Sequence, residues 1–318
     1  MTDVSPESRL WDLMRGALTA RALGVVAKLR VADALADGPR PVDELAREVG
    51  ADTDVLRRLL RALASDGVFA EDEAGSFRNT DASELLRTGG GWDDFAHLFG
   101  SVWFRTIAEL GTSGDAAFPT LYGMDFWSWL ADHPDERASF DRAMEQGKER
   151  RIERLAALVW RGDETVVDVG GGNGSNLVGL LRRHPGLRGI VFDLPETVRD
   201  EEGLREAGCT FVSGSFFESV PPGDVYVLST ILHDWDDERA TAILRTIRGA
   251  AQPETRLVLL ETVLPPGNEA HGAKWLDLLM LALFAGRERD EAQWRTLLEG
   301  ADFEPVRMED GLIEARCR

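Results

Sequence analysis

The stretch that most restricts the fold of this chain runs from Thr165 to Asp193. TVVDVG reads as a buried strand, GGNGS as a glycine loop, NLVGLLRRHP as a helix, and RGIVFDL as a second strand ending in Asp193. A strand, a glycine turn, a helix and a second strand closing on an acid form the unit that holds a nucleotide at the carboxyl edge of a parallel sheet. Gly170, Gly172 and Gly174 remove Cβ atoms where a ligand would meet backbone. Asp193, 23 positions after Gly170, is placed to accept hydrogen bonds from both hydroxyls of a ribose.

The glycine spacing separates the possible ligands. A dinucleotide site has the pattern GxGxxG, with the pyrophosphate on the helix N-terminus. Here the spacing is GxGxG, and Ser175 stands one residue beyond. Asp168 precedes the loop, where a carboxylate would oppose a pyrophosphate but suits an ammonium and a sulfonium. Both features favour S-adenosylmethionine. The alternatives are a nicotinamide or flavin dinucleotide, or a glycine turn that holds no ligand.

The remaining sequence falls into two regimes. From residue 164 onward, Val/Ile/Leu/Phe runs alternate with amphipathic stretches: CTFVSGSFF, DVYVLSTILHDW and TRLVLLETVL read as further strands, and PVRM with LIEARC as a closing hairpin. Residues 5–155 are mostly helical, starting at Ser5 as an N-cap with Pro6 in the first turn. Residues 135–159 read as one long amphipathic helix. Val42, Leu45, Ala46 and Val49, then Leu56, Leu59, Leu60 and Leu63, mark two helix faces, and a turn between Phe69 and Phe77 marks a small wing.

Helix, turn, helix and wing raise a DNA-binding reading, with Arg57, Arg58 and Arg61 on the second helix. Net charge weighs against it. Asp and Glu number 56 against 36 Lys and Arg, for a formal charge of −20, and such a field repels phosphates and anionic lipid. The alternative is that these helices bury their apolar faces on one another or on a second subunit. No apolar run is long enough to span a bilayer, and MTDVSPESRLWDLM lacks the basic start and apolar centre of a secretory signal. The two cysteines, Cys209 and Cys317, form no ligand or disulfide pattern, so a reducing cytoplasm is expected. Five histidines without metal-ligand spacing point to no metal site.

DVGGGNG, FDLPETV, GSFFESVP, LHDWDDE, LLETVLP and DLLMLALFAGRERDEAQW occur in that order. Together they resemble the S-adenosylmethionine-dependent small-molecule O-methyltransferases of the plant caffeate and bacterial polyketide and phenazine type, over nearly the whole chain. The resemblance implies an α/β fold. Its parts are a class I methyltransferase, Rossmann-like seven-stranded sheet in residues 101–318 and an N-terminal winged-helix dimerisation domain in residues 1–100. It implies a homodimer and a small hydroxylated aromatic substrate. It assigns S-adenosyl-L-methionine to Asp168, Gly170, Gly172, Gly174, Asp193, Leu194, Ser215, Phe216 and Ser229. Many members carry Asp at the place of Ser215, and plant members carry Lys at the place of Ser229, so those contacts differ here.

His233 closes a predicted strand at the same sheet edge as the glycine loop. An imidazole with an ordinary pKa of ~6.5 can take a proton from a phenol of pKa ~10 as a methyl group is transferred to its oxygen. The family uses the histidine of this HDW motif as general base and flanks it with acids that match Glu261 and Glu288. Asp234 is the one member of the following acidic cluster given a site role; acids in a first helical turn are otherwise expected from capping. Trp103, Met144, Met280 and Phe284 match positions that face the acceptor, although stripes at helical spacing also fit a plain core. The expected activity is O-methylation of a phenolic hydroxyl on an aromatic secondary metabolite. The alternatives are N-methylation, non-methylating hydroxylation, decarboxylation or cyclisation on the same fold, and, remotely, a winged-helix regulator.

Overall fold

A computed structural model describes residues 5–195, 197, 201–309 and 311–318. Met1–Val4 of the N-terminal stretch, and Glu196 and Val198 of the FDLPETV motif, lie outside the described residues. Contacts divide the chain into two units, one of residues 1–109 with 132–146 and the other of residues 110–131 with 147–318.

The first unit is mainly helical. The Ser5 side chain accepts a hydrogen bond from the Ser8 amide at 3.2 Å and caps the helix Pro6–Met14. That helix buries nothing: Leu10, Trp11, Leu13 and Met14 are each at least 60% exposed. Helices Val42–Val49 and Thr53–Ser65 bury Val42, Leu45, Leu56, Leu60 and Leu63. Beside them, β1 (Arg40–Pro41), β2 (Phe69–Glu71) and β3 (Ser76–Asn79) form a small sheet in the order β1-β3-β2, with Phe69 and Phe77 buried. Each arginine of the second helix has an acid beside it: Asp43 near Arg57, Asp54 near Arg58 and Glu71 near Arg61. Matched charges of this kind leave little positive field for a nucleic acid.

The long helix expected over residues 135–159 is two helices, Pro134–Met144 and Lys148–Ala156. Gly147 breaks it by adopting φ 73°, a left-handed conformation that costs glycine little. The two pieces belong to different units. Pro134–Met144 is held within the first unit by two paired charges. Arg142 donates to both oxygens of buried Asp94 at 2.7 and 2.8 Å, and His97 Nε2 lies 2.9 Å from Glu136.

The second unit is built on β4 (Thr165–Val169), β5 (Arg188–Asp193), β6 (Cys209–Ser213), β7 (Val225–Ser229), β8 (Arg256–Leu260), β9 (Phe303–Glu309) and β10 (Leu312–Cys317). Among the described residues these form one sheet of seven strands in the order β6-β5-β4-β7-β8-β10-β9. The first five strands pair in parallel, and β10 is antiparallel to both β8 and β9. Central strands such as Val166–Val169 and Val225–Leu228 are buried throughout, as a sheet covered on both faces requires. One face packs on Ile243, Leu244, Ile247 and Trp294, and the other on Leu155, Leu177 and Leu180. From β4 the chain proceeds outward through β5 and β6, then returns to β7 on the other side of β4. The β4/β7 junction is therefore the switch point, where parallel sheets open a crevice at their carboxyl ends. No helix among the described residues is long and apolar enough to cross a membrane.

Candidate active site

The glycine loop leaves β4 at this switch point. Gly170, Gly172 and Gly174 have φ of 70°, 58° and 76°, which only glycine adopts without strain. A Cβ on Gly170 would lie 2.5 Å from Ile231 Cδ1, so the loop presses directly on the segment that follows β7. A Cβ on Gly172 would meet nothing within 4 Å, leaving its face open for a ligand. Asp193, at the end of β5, ties the edge together. Its carboxylate accepts from the amides of Gly172 (2.8 Å) and Leu194 (2.7 Å) and from Thr197 Oγ1 (3.0 Å). Leu194 is 41% exposed beside it.

Asp168 is buried beneath the loop, and its Oδ2 has no hydrogen-bond partner among the described residues. Burial first, and the charge of Asp193 second, push its carboxyl up to about 7, against the pull of Arg151. The buried Ser229 Oγ, at the end of β7, also lacks a partner among the described residues. Ser215 accepts from the Phe217 amide at 3.3 Å, and Phe216 and Phe217 pack edge-on against each other and against Trp235.

The neighbouring turn carries His233. Thr230 takes φ 53°, an outlying conformation for a β-branched residue, and Leu232–Asp234 then form a single 3₁₀ turn. His233 Nδ1 lies 2.7 Å from Glu288 Oε1, and Nε2 lies 3.4 Å from Asp234 Oδ1; all three residues are buried. The Glu288 amide donates to Asp277 Oδ1 at 2.7 Å. Glu261 serves the backbone rather than the ring. Its Oε1 accepts from the amides of Ile231 (2.9 Å) and Leu232 (2.7 Å).

Both ring nitrogens of His233 thus face carboxylates. Burial pulls the imidazolium down, but Asp234, the bond to Glu288 and the charge of Glu261 outweigh it and push the ring up to about 10. Burial also raises Asp234, to about 7, against the pull of His233.

Met280 is buried and Phe284 half-buried on the helix Ala273–Phe284, which leads straight into the loop bearing Glu288. Phe284 stacks on Trp127 (5.4 Å between centroids, 15° between planes) and meets Phe126 edge-on. Trp103 and Met144 belong to the first unit, where Trp103 is buried against Phe95 and Phe99. No group of three or more His, Cys, Asp or Glu able to hold a metal occurs among the described residues.

One participant is hard to read from sequence. Arg289 is fully buried, with its guanidinium on the carbonyls of Leu232 and Trp235. In the run GRERD it looks like any surface arginine; the only signal was its place next to Glu288.

Comparison with known proteins identifies the family. Residues 104–304 match the model of the O-methyltransferase domain, and residues 11–89 match the O-methyltransferase dimerisation domain. The chain belongs to the O-methyltransferase family. The phenazine O-methyltransferase PhzM of Lysobacter antibioticus is 38% identical over 93% of this chain and 90% of its own. The crystal structure of LaPhzM superposes with a TM-score of 0.91 at 37% identity, covering 99% of this chain and 100% of that one. That of NcsB1 from neocarzinostatin biosynthesis, in complex with S-adenosyl-L-homocysteine and 1,4-dihydroxy-2-naphthoic acid, superposes at 0.81 and 34% identity over 94% and 96% of the two chains. This O-methyltransferase is of the secondary-metabolite type, and its match to a dimerisation domain implies a homodimer. The residues present fit a cationic methyl donor. Asp168, in β4, keeps a buried carboxylate oxygen without a partner among the described residues, and Gly172, in the loop that follows, presents an open backbone face; an acid and bare backbone suit a donor that carries positive charge.

Proposed function

We propose that this O-methyltransferase uses S-adenosyl-L-methionine to methylate a phenolic hydroxyl of an aromatic metabolite, with His233 as general base. The observation that carries the reading is the buried His233–Glu288 pair at 2.7 Å, in the turn after β7, the strand paired with the β4 strand that leads into the glycine loop. When bound, S-adenosylmethionine supplies a methyl group on a positively charged sulfur. Asp168, the Gly170–Gly174 loop and Asp193 would hold it, with Leu194, Ser215, Phe216 and Ser229 as further contacts. Glu288 accepts the Nδ1 proton of His233 and so fixes the tautomer whose Nε2 lone pair takes the acceptor's proton. A ring near 10 matches the proton affinity of a phenolate, so the transfer is close to balanced. In its neutral form such a base contributes ~10²–10⁴-fold. Met280, Phe284 and Trp127 offer a flat apolar wall for an aromatic acceptor. Trp103 and Met144 join this reading through the family resemblance alone. The exposed apolar helix Pro6–Met14 supports a homodimer that covers it.

The test is mass spectrometry of products from a panel of polycyclic phenols and their amino analogues. One added methyl on oxygen is expected. His233→Ala is expected to lose turnover by ~10²-fold or more while still binding S-adenosylhomocysteine. Full turnover in that variant removes His233 as the base, and methylation on nitrogen, or a product without the methyl, overturns the reaction type.

A further inference from the structure

The turn that presents His233 is held far more firmly than one turn of 3₁₀ helix requires. Glu261 takes its first two amides, at Ile231 and Leu232. Arg289 takes carbonyls on either side of the histidine: Nη1 donates to Leu232 O and Nη2 to Trp235 O, both at 2.8 Å. Its Nε donates to Asp237 Oδ1 at 2.9 Å, and its guanidinium lies over the Trp294 ring, 5.2 Å from the centroid. The carbonyl of His233 itself accepts from the Arg287 amide at 2.8 Å. Gly286 lets this loop approach: a Cβ there would stand 2.2 Å from His233 O.

A fully buried arginine is costly unless its donors are spent on something that matters. Here all three named donors go to the five-residue turn or the helix start behind it. Thr230 at the turn's entrance holds a strained conformation of the kind that persists only where its surroundings over-determine it. Arg289 is also the chain neighbour of Glu288, so one segment holds both the carboxylate on the ring and the clamp on the ring's backbone.

We propose that Arg289 is a positioning residue for methyl transfer: with Glu261 on the amides and Arg289 on the carbonyls, the strained turn is clamped so that the His233 ring stays on Glu288. The inference rests on the reading of His233 as base, yet its physical core, the ring's position, is measurable apart from turnover. Lysine at this site is not equivalent, because one ammonium replaces a planar fork that reaches two carbonyls at once.

The experiment compares the full-length enzyme with its Arg289→Met and Arg289→Lys variants. Near-ultraviolet circular dichroism and S-adenosylhomocysteine binding report folding and the cofactor edge. Long-range ¹H–¹⁵N spectra of histidine-labelled protein report the ring, with the His233 signal assigned by its loss in His233→Ala. In the wild type, the groups facing His233 are Asp234, Glu288 and Glu261, with Asp277 behind Glu288 and Arg287 and Arg289 on the loop side. They keep the ring protonated between about pH 6 and 8.5. Arg289→Met is expected to lower kcat about 100-fold with little change in acceptor KM, the cost of misplacing a reacting group by about 1 Å. Its His233 should begin to titrate in that window. Arg289→Lys should recover roughly a tenth of the wild-type kcat.

Either variant, folded and binding S-adenosylhomocysteine normally, with wild-type kcat and an unmoved His233 signal, overturns the proposal. If Arg289→Met does not fold, Arg289→Lys alone decides by the same two readouts. Should His233→Ala keep its turnover, the base reading fails, but the His233 signal in the Arg289 variants still decides the clamp.

Discussion

Asp234 sits 3.4 Å from His233 Nε2, the nitrogen that takes the acceptor's proton in the proposed mechanism, and replacing it by Asn should move the pH dependence of catalysis more than its height. At that separation and an effective dielectric of about 20, the Coulomb attraction is about 5 kcal/mol, or three to four powers of ten in the proton equilibrium. That matches the whole net rise of His233, from its ordinary 6.5 to about 10. With a value near 10, only about one molecule in a thousand holds a neutral ring at pH 7, so kcat/KM should climb with pH up to about 10. Loss of the Asp234 charge leaves burial to pull the ring down and Glu288 and Glu261 to hold it up, and the value falls back toward about 6.5. The climb in Asp234→Asn should therefore level off by about pH 7. The assay is methyl transfer from pH 5.5 to 10.5, roughly the span of both values, with one acceptor for both proteins so that its own ionisation cancels. Single-turnover measurements remove any slow product release. A climb at the same pH in both proteins refutes the reasoning.

Asp168→Asn should separate stability from binding. The wild-type carboxyl lies near 3.8 when unfolded and about 7 when folded, so its contribution to stability is present below about pH 4 and lost as pH rises through about 7. Asn removes that loss. The free variant should be more stable to unfolding than wild type at pH 8 by at most about 4 kcal/mol and equally stable at about pH 4, while binding S-adenosylhomocysteine roughly tenfold more weakly, as denaturant titration and calorimetry would read. Leu10→Glu with Leu13→Glu, on one helix face and each at least 60% exposed, should leave the helical content intact and shift light scattering from the dimer to the monomer mass. A dimer that persists in that variant assigns its interface elsewhere.

Much of this site is local in sequence, and that part was legible. The glycine loop, Asp193 and the seven strands follow from period, spacing and the positions of turns. His233 follows from a strand end and an acidic helix start. What was not legible depends on contacts across dozens of residues. Glu261 and Glu288 are both acids near His233, yet one bonds the ring and the other bonds backbone amides. Nothing in their neighbours distinguishes those tasks. Arg289 sits in a charged run whose exposed appearance is contradicted only by complete burial. The helix break at Gly147 is an error of a different kind. An amphipathic period continues through it, and one glycine in a left-handed conformation outweighs the period.

The helix Pro134–Met144 returns to a unit whose other residues end at position 109. The backbone therefore passes between the two units three times. Severing the chain near residue 100 would strip the front piece of Arg142 and Glu136, orphaning the buried Asp94 carboxylate and His97. The two units cannot be exchanged among relatives as beads on a string. A recombination event must carry residues 132–146 along with the front part, or leave an unpaired charge inside it.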